Sequence, residues 1–236
     1  LFVLYHSGSR PDRAAVLDQI AGNLCRCTGY RPIVDAALEA CMGNASDIWS
    51  ETAAEIASEL VRINDGEDVF CGNSESFAAI PAKAETLLDL AARHPDATIV
   101  AGATDVGLWI TKQMRLLPKL IFTSKVEALH ALTDRVATLS LGSAVTYSEA
   151  AGKLAALAPD MADVLRRIGS KQVRSSGTIG GNIANGSPIG DMPPMLIALG
   201  ARITLRKAAE QRDLLLEDYF VDYGKQDRRP GEVLWR

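Results

Sequence analysis

The sequence predicts an α+β protein, a small all-helical part followed by a larger part of mixed α/β pattern. Three observations predict it. Apolar residues recur at helical spacing through the first 40 or so positions. From Phe77 onward short apolar runs alternate with helical patterns. Between two well-patterned apolar segments lies the stretch 169–191, in which six of 23 residues are glycine (169, 177, 180, 181, 186 and 190).

Composition narrows the function classes. With 47% hydrophobic and 23% charged residues over 236 positions, the chain suits one large or two modest soluble domains. A net charge of −4 and a pI near 5.5 argue against a nucleic-acid surface. No apolar run reaches the roughly 18 residues of a membrane span. The opening Leu1-Phe-Val-Leu-Tyr5 lacks the basic lead and length of a signal peptide. With no initiator Met and an end at Val233-Leu-Trp-Arg236, the sequence reads as cut at both ends. The cysteines at 25, 27, 41 and 71 form no secreted disulfide framework, so a reducing cytoplasm is expected. The sequons at Asn44 and Asn185 are then chance matches.

In chain order, Ser9-Arg-Pro-Asp12 is a helix start, and Val16, Leu17, Ile20 and Leu24 fall on one face. Tyr30-Arg-Pro32 opens a second helix carrying Ile33, Val34, Ala37, Leu38 and Cys41. Cys25 and Cys27 sit on the corner between the two. A Cys-x-Cys pair on such a corner can present two thiolates to a metal, with Arg26 and nearby N–H groups favouring the charged form. It can equally be two small residues packed between helices. Cys41 and Cys71 read as structural.

Residues 43–77 form a connector holding one amphipathic helix, Ile48 to Ile63. Then come a helix at Ala84–His94, a strand at Ala97–Ala101, a turn at Gly102-Ala-Thr-Asp105 and a helix to about Met114. A strand at Leu120–Phe122, a helix at Val126–Leu132 and an extended segment at Thr138–Gly142 follow. Helices are expected at Thr146–Leu157, Met161–Ile168 and Met192–Leu199, with strands at Ala201–Leu205 and from Val233.

The glycine stretch supports two readings. It is a long surface loop, or a cradle whose backbone N–H groups approach an anion. A second glycine turn at 102, entered from a strand, is another place where phosphate is commonly held. Neither matches the Rossmann or P-loop fingerprint. Two separate glycine turns imply an extended ligand gripped from two sides, and a dinucleotide suits that arrangement.

Asn23-Leu-Cys-Arg-Cys-Thr-Gly-Tyr-Arg-Pro-Ile33 closely resembles the second cysteine pair of the helical [2Fe–2S] domain in the molybdenum hydroxylases, the group of xanthine dehydrogenase and aldehyde oxidase. Ile99-Val-Ala-Gly-Ala-Thr-Asp-Val106 resembles the first FAD loop of the flavin domain in the same enzymes, which has the vanillyl-alcohol-oxidase-like (PCMH-type) fold. The run from Lys171 to Asp191 resembles its second loop almost throughout.

By that resemblance, Cys25 and Cys27 are two of four ligands of a [2Fe–2S] cluster, completed in the family by an upstream Cys-x-x-Cys pair. Ile99, Val100, Ala101, Gly102, Ala103, Thr104, Asp105 and Val106 wrap the pyrophosphate side of FAD. Thr178 and Asn182 hydrogen-bond the cofactor beside Gly181, and Asp191 accepts from one of its hydroxyls. Ile168 packs on FAD where relatives often have an aromatic residue, and Leu234 is a later apolar contact. On the residues alone, Asp105 and Asp191 serve equally well as helix caps.

The resemblance implies residues 1–42 as the end of a [2Fe–2S] domain, 43–77 as linker and 78–236 as an FAD domain incomplete at its C-terminus. It further implies an electron-transfer subunit of the xanthine dehydrogenase kind, in a cytoplasmic hetero-oligomer with a molybdopterin-binding large subunit. Electrons from purine hydroxylation would pass through iron–sulfur to FAD and on to NAD⁺. No residue is assigned a catalytic acid, base or nucleophile. The alternatives are a sister enzyme acting on aldehydes or N-heterocycles, and a non-catalytic scaffold or zinc module on the same fold.

Overall fold

In a computed structural model the chain forms two compact units, Leu1–Asp65 with Gly169–Gln172 and Gly66–Ile168 with Val173–Arg236. The structure describes residues 1–43, 46–136 and 138–236; the sequon residue Asn44 lies outside them.

The first unit holds α1 (Phe2–His6), α2 (Arg13–Ile20), α3 (Tyr30–Ala40) and α4 (Ile48–Ile63). Its core is Leu4, Val16, Val34, Ala37 and Cys41. The cap of α2 is Asp12 and not Ser9: the Asp12 carboxylate accepts from the Ala15 N–H at 2.7 Å, while the Ser9 hydroxyl pairs with Ser7. Leu17 and Leu24, expected on the buried face, are 49% and 78% exposed. Leu17 follows the buried Val16 and so points about 100° away, and Leu24 lies beyond the helix end. The bounds of α4 are those expected, with Asp47 as its cap through the Ser50 N–H at 2.9 Å.

His6 ties α1 to that cap. Its Nε2 is 3.1 Å from both Asp47 oxygens and its Nδ1 is 3.0 Å from the Phe2 carbonyl. The Phe2 carbonyl first, then Asp47, raise the His6 pKa above its ordinary value. Such a group adds stability that is fully present below the unfolded pKa of about 6.5 and is lost as pH rises through the folded value. The unfolding midpoint of this unit should therefore drop as pH rises above about 6.5. In a thermal melt series, His6→Ala should flatten that drop; an unchanged pH profile would show the pairing to be idle.

The second unit begins with β1 (Val69–Gly72), β2 (Phe77–Ile80), α5 (Ala84–Arg93), β3 (Thr98–Val100), α6 (Val106–Thr111) and β4 (Lys119–Phe122). The strands form one sheet in the order β1-β2-β4-β3, with β1 antiparallel to β2 and the rest parallel. Leu87, Leu88, Leu90 and Ala91 of α5 pack into a cluster with Phe77, Ala79 and Ile121 of the sheet. An antiparallel hairpin follows, β5 (Leu132–Arg135) and β6 (Thr138–Leu141). Next come α7 (Tyr147–Leu157), opened by a Thr146–Glu149 capping box, then α8 (Met161–Arg167), α9 (Lys171–Ser176, its first two residues assigned to the first unit), α10 (Ile179–Asn185) and α11 (Met192–Ala198). The chain ends with β7 (Arg202–Lys207), β8 (Glu210–Leu215), α12 (Leu216–Tyr219), β9 (Phe220–Asp222), β10 (Lys225–Gln226) and β11 (Val233–Leu234). Of these, β11, β7 and β8 make an antiparallel sheet in that order.

Four expectations change. The helix expected at 126–132 is a single 3₁₀ turn at Glu127–Leu129, and Leu132 already belongs to β5. Val126 and Leu129 are both buried, and one turn suffices to bury two residues three apart. Helix α6 stops at Thr111 instead of Met114, which has φ +53°. Cys71 is exposed on the edge strand β1, so it is no core residue, and that strand lies inside the stretch read as connector. The glycine stretch is largely helical, with α9 and α10 separated only by Gly177 and Thr178.

Candidate functional site

Loop 1 leaves the carboxyl end of β3, the edge strand of the parallel part of the sheet, and ligands of α/β folds usually bind at such strand ends. Val100 is buried; Ala103, Thr104 and Asp105 are exposed, and Ala103 takes the left-handed conformation at φ +57°. Among the described residues, the N–H groups of Gly102, Ala103, Thr104 and Asp105 meet no acceptor within the fold. A run of unpaired N–H groups through a left-handed residue is suited to an anion.

Loop 2 is the α9–α10 junction with its continuation to Asp191. Tyr147 N–H donates to the Gly177 carbonyl at 3.1 Å, and Ile179 N–H donates to Val145 at 3.0 Å, so the junction is stitched to the start of α7. Thr178, 5% exposed, caps α10 by accepting from the Gly181 N–H at 2.9 Å. Asn182 Oδ1 accepts from the Met192 N–H at 3.3 Å, which fixes where α11 begins. Asp105 and Asp191 occupy N-cap positions of α6 and α11, yet neither side chain makes a capping bond. The cap reading of these two carboxylates therefore fails. Asp191 is exposed, and after burial its charge is the second reason that the Tyr147 hydroxyl is pushed up to about 12.

The two loops touch. A Cβ on Gly102 would stand 1.9 Å from the Ser176 carbonyl oxygen and 2.9 Å from Gly177 Cα, so only glycine permits this approach. A Cβ on Gly181 would be 2.7 Å from Thr178 Oγ1 and 4.0 Å from Ala101 Cβ. Asn185 Nδ2 donates to the Asp105 carboxylate, a bond between α10 and loop 1. Thus Ala101, Gly102 and Asp105 of loop 1 meet Ser176, Gly177, Gly181 and Asn185 of loop 2; Thr178 is buried beside Gly181, and Asp191 is one residue from the Met192 N–H held by Asn182. Ile168 and Leu234 are 7% and 6% exposed, in the apolar cluster that also holds Ile183, Met192 and Leu205. Sequence reasoning passed over Asn185, although Asn182 and Asn185 stand three apart and so share a helix face.

On the helical unit, the Cys25 and Cys27 sulfurs are 3.0 Å apart, Cys25 partly and Cys27 fully exposed. The Cys25 N–H donates to the Tyr30 hydroxyl at 3.2 Å, and Thr28 is left-handed at φ +58°. The Cys27 thiol is held below its ordinary pKa, first by Cys25 and then by the Gly29 N–H. Two convergent thiols are the donors iron–sulfur chemistry needs, and they supply half of a four-ligand set. Among the described residues no group of three or more His, Cys, Asp or Glu side chains is placed to hold a metal. Also among them, no helix is long and apolar enough to cross a membrane.

A cavity of about 510 Å³ lies away from both loops, lined by Asp68, Val69, Phe70, Pro81, Leu90 and His94 among others. The Asp68 carboxylate there accepts from the Ala82 N–H and the Thr86 hydroxyl.

Comparison with known proteins gives two family matches. The FAD binding domain in molybdopterin dehydrogenase matches residues 74–236, and the [2Fe-2S] binding domain matches residues 2–38. The chain is 28% identical to the xanthine dehydrogenase/oxidase of Rattus norvegicus over 99% of its length, and 25% identical to aldehyde oxidase 2 of Cavia porcellus. It spans 21% and 22% of those relatives. Among solved structures, quinoline 2-oxidoreductase from Pseudomonas putida 86 matches with TM-score 0.63 and 26% identity, over 70% of this chain and 58% of that one. The carbon monoxide dehydrogenase from Oligotropha carboxidovorans matches with the same values.

Proposed function

The chain belongs to the molybdenum hydroxylase family, and from that premise we propose that it is the electron-transfer component of a xanthine dehydrogenase. It carries the FAD-binding and [2Fe–2S]-binding domains of a family member. In the reading proposed, residues 1–42 are the cluster side, 43–77 the linker and 78–236 the flavin side. A molybdopterin-binding large subunit hydroxylates a purine, and NAD⁺ takes the electrons.

The observation that supports this most is the Gly102 contact, which sets a run of unpaired N–H groups against the Ser176–Gly177 backbone that leads into α10. In this reading the backbone of Gly102 to Asp105 receives the pyrophosphate. Thr178 and Asn182 set the second wall, and the uncapped Asp191 carboxylate accepts from a cofactor hydroxyl. Ile168 and Leu234 shape the apolar floor from within the core. FAD, when bound, supplies hydride and single-electron exchange, and the protein supplies binding, orientation and electrostatics. Cys25 and Cys27 would hold the cluster on one side, with two further ligands beyond the pair.

Two measurements test the reading. Asp191→Ala combined with Gly181→Val should weaken FAD retention by at least about tenfold, because one acceptor is lost and a side chain is forced toward Thr178 and Ala101. Unchanged retention would refute the loop 2 assignment. For the substrate, the flavin of the protein together with its large subunit should bleach on adding xanthine and recover on adding NAD⁺. A second reading, a sister enzyme oxidising an aldehyde or N-heterocycle, is favoured by the likeness to aldehyde oxidase 2 and quinoline 2-oxidoreductase. Bleaching by an aldehyde or quinoline and not by xanthine would select it.

A further inference from the structure

Asp105 stands in the loop assigned to a diphosphate, where a bare carboxylate repels the ligand. Its side chain caps no helix, and the partner it has is the Asn185 amide. Asn185 is the last residue of α10, and Gly186 behind it is left-handed at φ +60°. A Cβ on Gly186 would lie 1.4 Å from Gln226 Nε2, so the amide of β10 closes over the point where α10 ends. Asn185 is thereby placed from both directions, by the helix before it and by Gln226 after it. It is also the one described side chain of α10 that hydrogen-bonds loop 1.

We propose that Asn185 is a positioning residue for FAD: it clasps the Asp105 carboxylate, fixes the unpaired N–H groups of loop 1 against loop 2, and draws the negative charge off the diphosphate path. The proposal rests on the FAD reading given above and adds to it a residue that touches the protein and not the cofactor. A backbone clamp pre-organised in this way lowers the ordering cost of binding. Loss of the clasp should speed release of the cofactor while leaving the fold in place, since both side chains are exposed.

The test compares the parent protein with Asn185→Ala, Asn185→Asp and the exchange Asp105→Asn with Asn185→Asp. Three quantities are read: FAD release by recovery of free-flavin fluorescence, the visible circular dichroism of bound flavin, and the unfolding midpoint of the FAD-free protein. Asn185→Ala should release FAD about tenfold faster, and Asn185→Asp faster still, because two carboxylates then face each other. The exchange restores an amide–carboxylate pair and should return release and dichroism toward the parent, with the FAD-free midpoint little changed throughout. Asn185→Ala releasing FAD at the parent rate would overturn the clasp. Failure of the exchange to rescue, or a fall in the FAD-free midpoint that accounts for the loss, would overturn it too. A parent that takes up no FAD at all would instead overturn the cofactor reading on which the clasp rests.

Discussion

Gly102→Ala is expected to abolish FAD retention and to lower stability. The added methyl meets backbone on the other side: the Ser176 oxygen at 1.9 Å, its carbonyl carbon at 2.6 Å and Gly177 Cα at 2.9 Å. No rotamer relieves such a contact, so either loop 1 or the α9–α10 junction has to move. The junction is held by the Tyr147–Gly177 and Ile179–Val145 hydrogen bonds, which together make the antiparallel bridge between Thr146 and Thr178. Loop 1 is the weaker side and should give way, which pulls its N–H groups out of line. Overpacking of this kind costs about 1–3 kcal/mol. A melt read alongside FAD uptake would show whether the two losses appear together. Parent-like uptake in Gly102→Ala would mean that the loop contact is not needed.

Arg212→Ala should strongly destabilise the second unit. The guanidinium reaches Glu232 through Nε at 2.7 Å and Nη2 at 2.8 Å, and Asp227 through Nη1 at 2.7 Å. Glu232 is 5% exposed, on the turn that leads into β11. Burial by itself would raise its pKa, but the hydrogen bonds from Arg212 and the Arg229 N–H outweigh that and hold it below the ordinary value. Removing the arginine leaves a buried carboxylate without its cation, which costs about 3–5 kcal/mol. The sign of the pH dependence should then reverse. In the parent, a lowered folded pKa gives stability above about pH 4.3 that is lost as acid protonates Glu232. In the variant, burial dominates and raises the folded pKa, so acid should restore part of the loss. Glu232→Gln placed on Arg212→Ala should recover stability at neutral pH. If Arg212→Ala costs under about 1 kcal/mol, the pair is of the weak surface kind.

How much of this was legible in the sequence depended on the type of signal. The α4 bounds followed from a clean apolar periodicity between Asp47 and Asn64, both able to end a helix. The Cys25–Cys27 corner and the Gly102 turn were legible because small residues stood where apolar periodicity stopped. Helices α9 and α10 were not. Glycines count against helix in a local reading, while Gly180 is needed here because a Cβ would sit 2.4–2.5 Å from Ser143. That requirement is tertiary, as is the one at Gly102. Strand β8 begins Glu-Gln-Arg-Asp, a charged run whose pairing with β7 is visible only once Arg212 has found Glu232. The Asp105–Asn185 bond joins residues 80 apart, and nothing local signals it.

The central claim is that the two glycine loops together hold FAD. The most direct measurement is the visible spectrum of the purified protein, with FAD quantified after release and a second spectrum after incubation with added FAD. The account predicts flavin bands shifted from those of free FAD, a stoichiometry near one per chain, and their loss in Gly102→Ala. A colourless protein that takes up no FAD when it is supplied, and binds zinc at Cys25 and Cys27 instead, would contradict it.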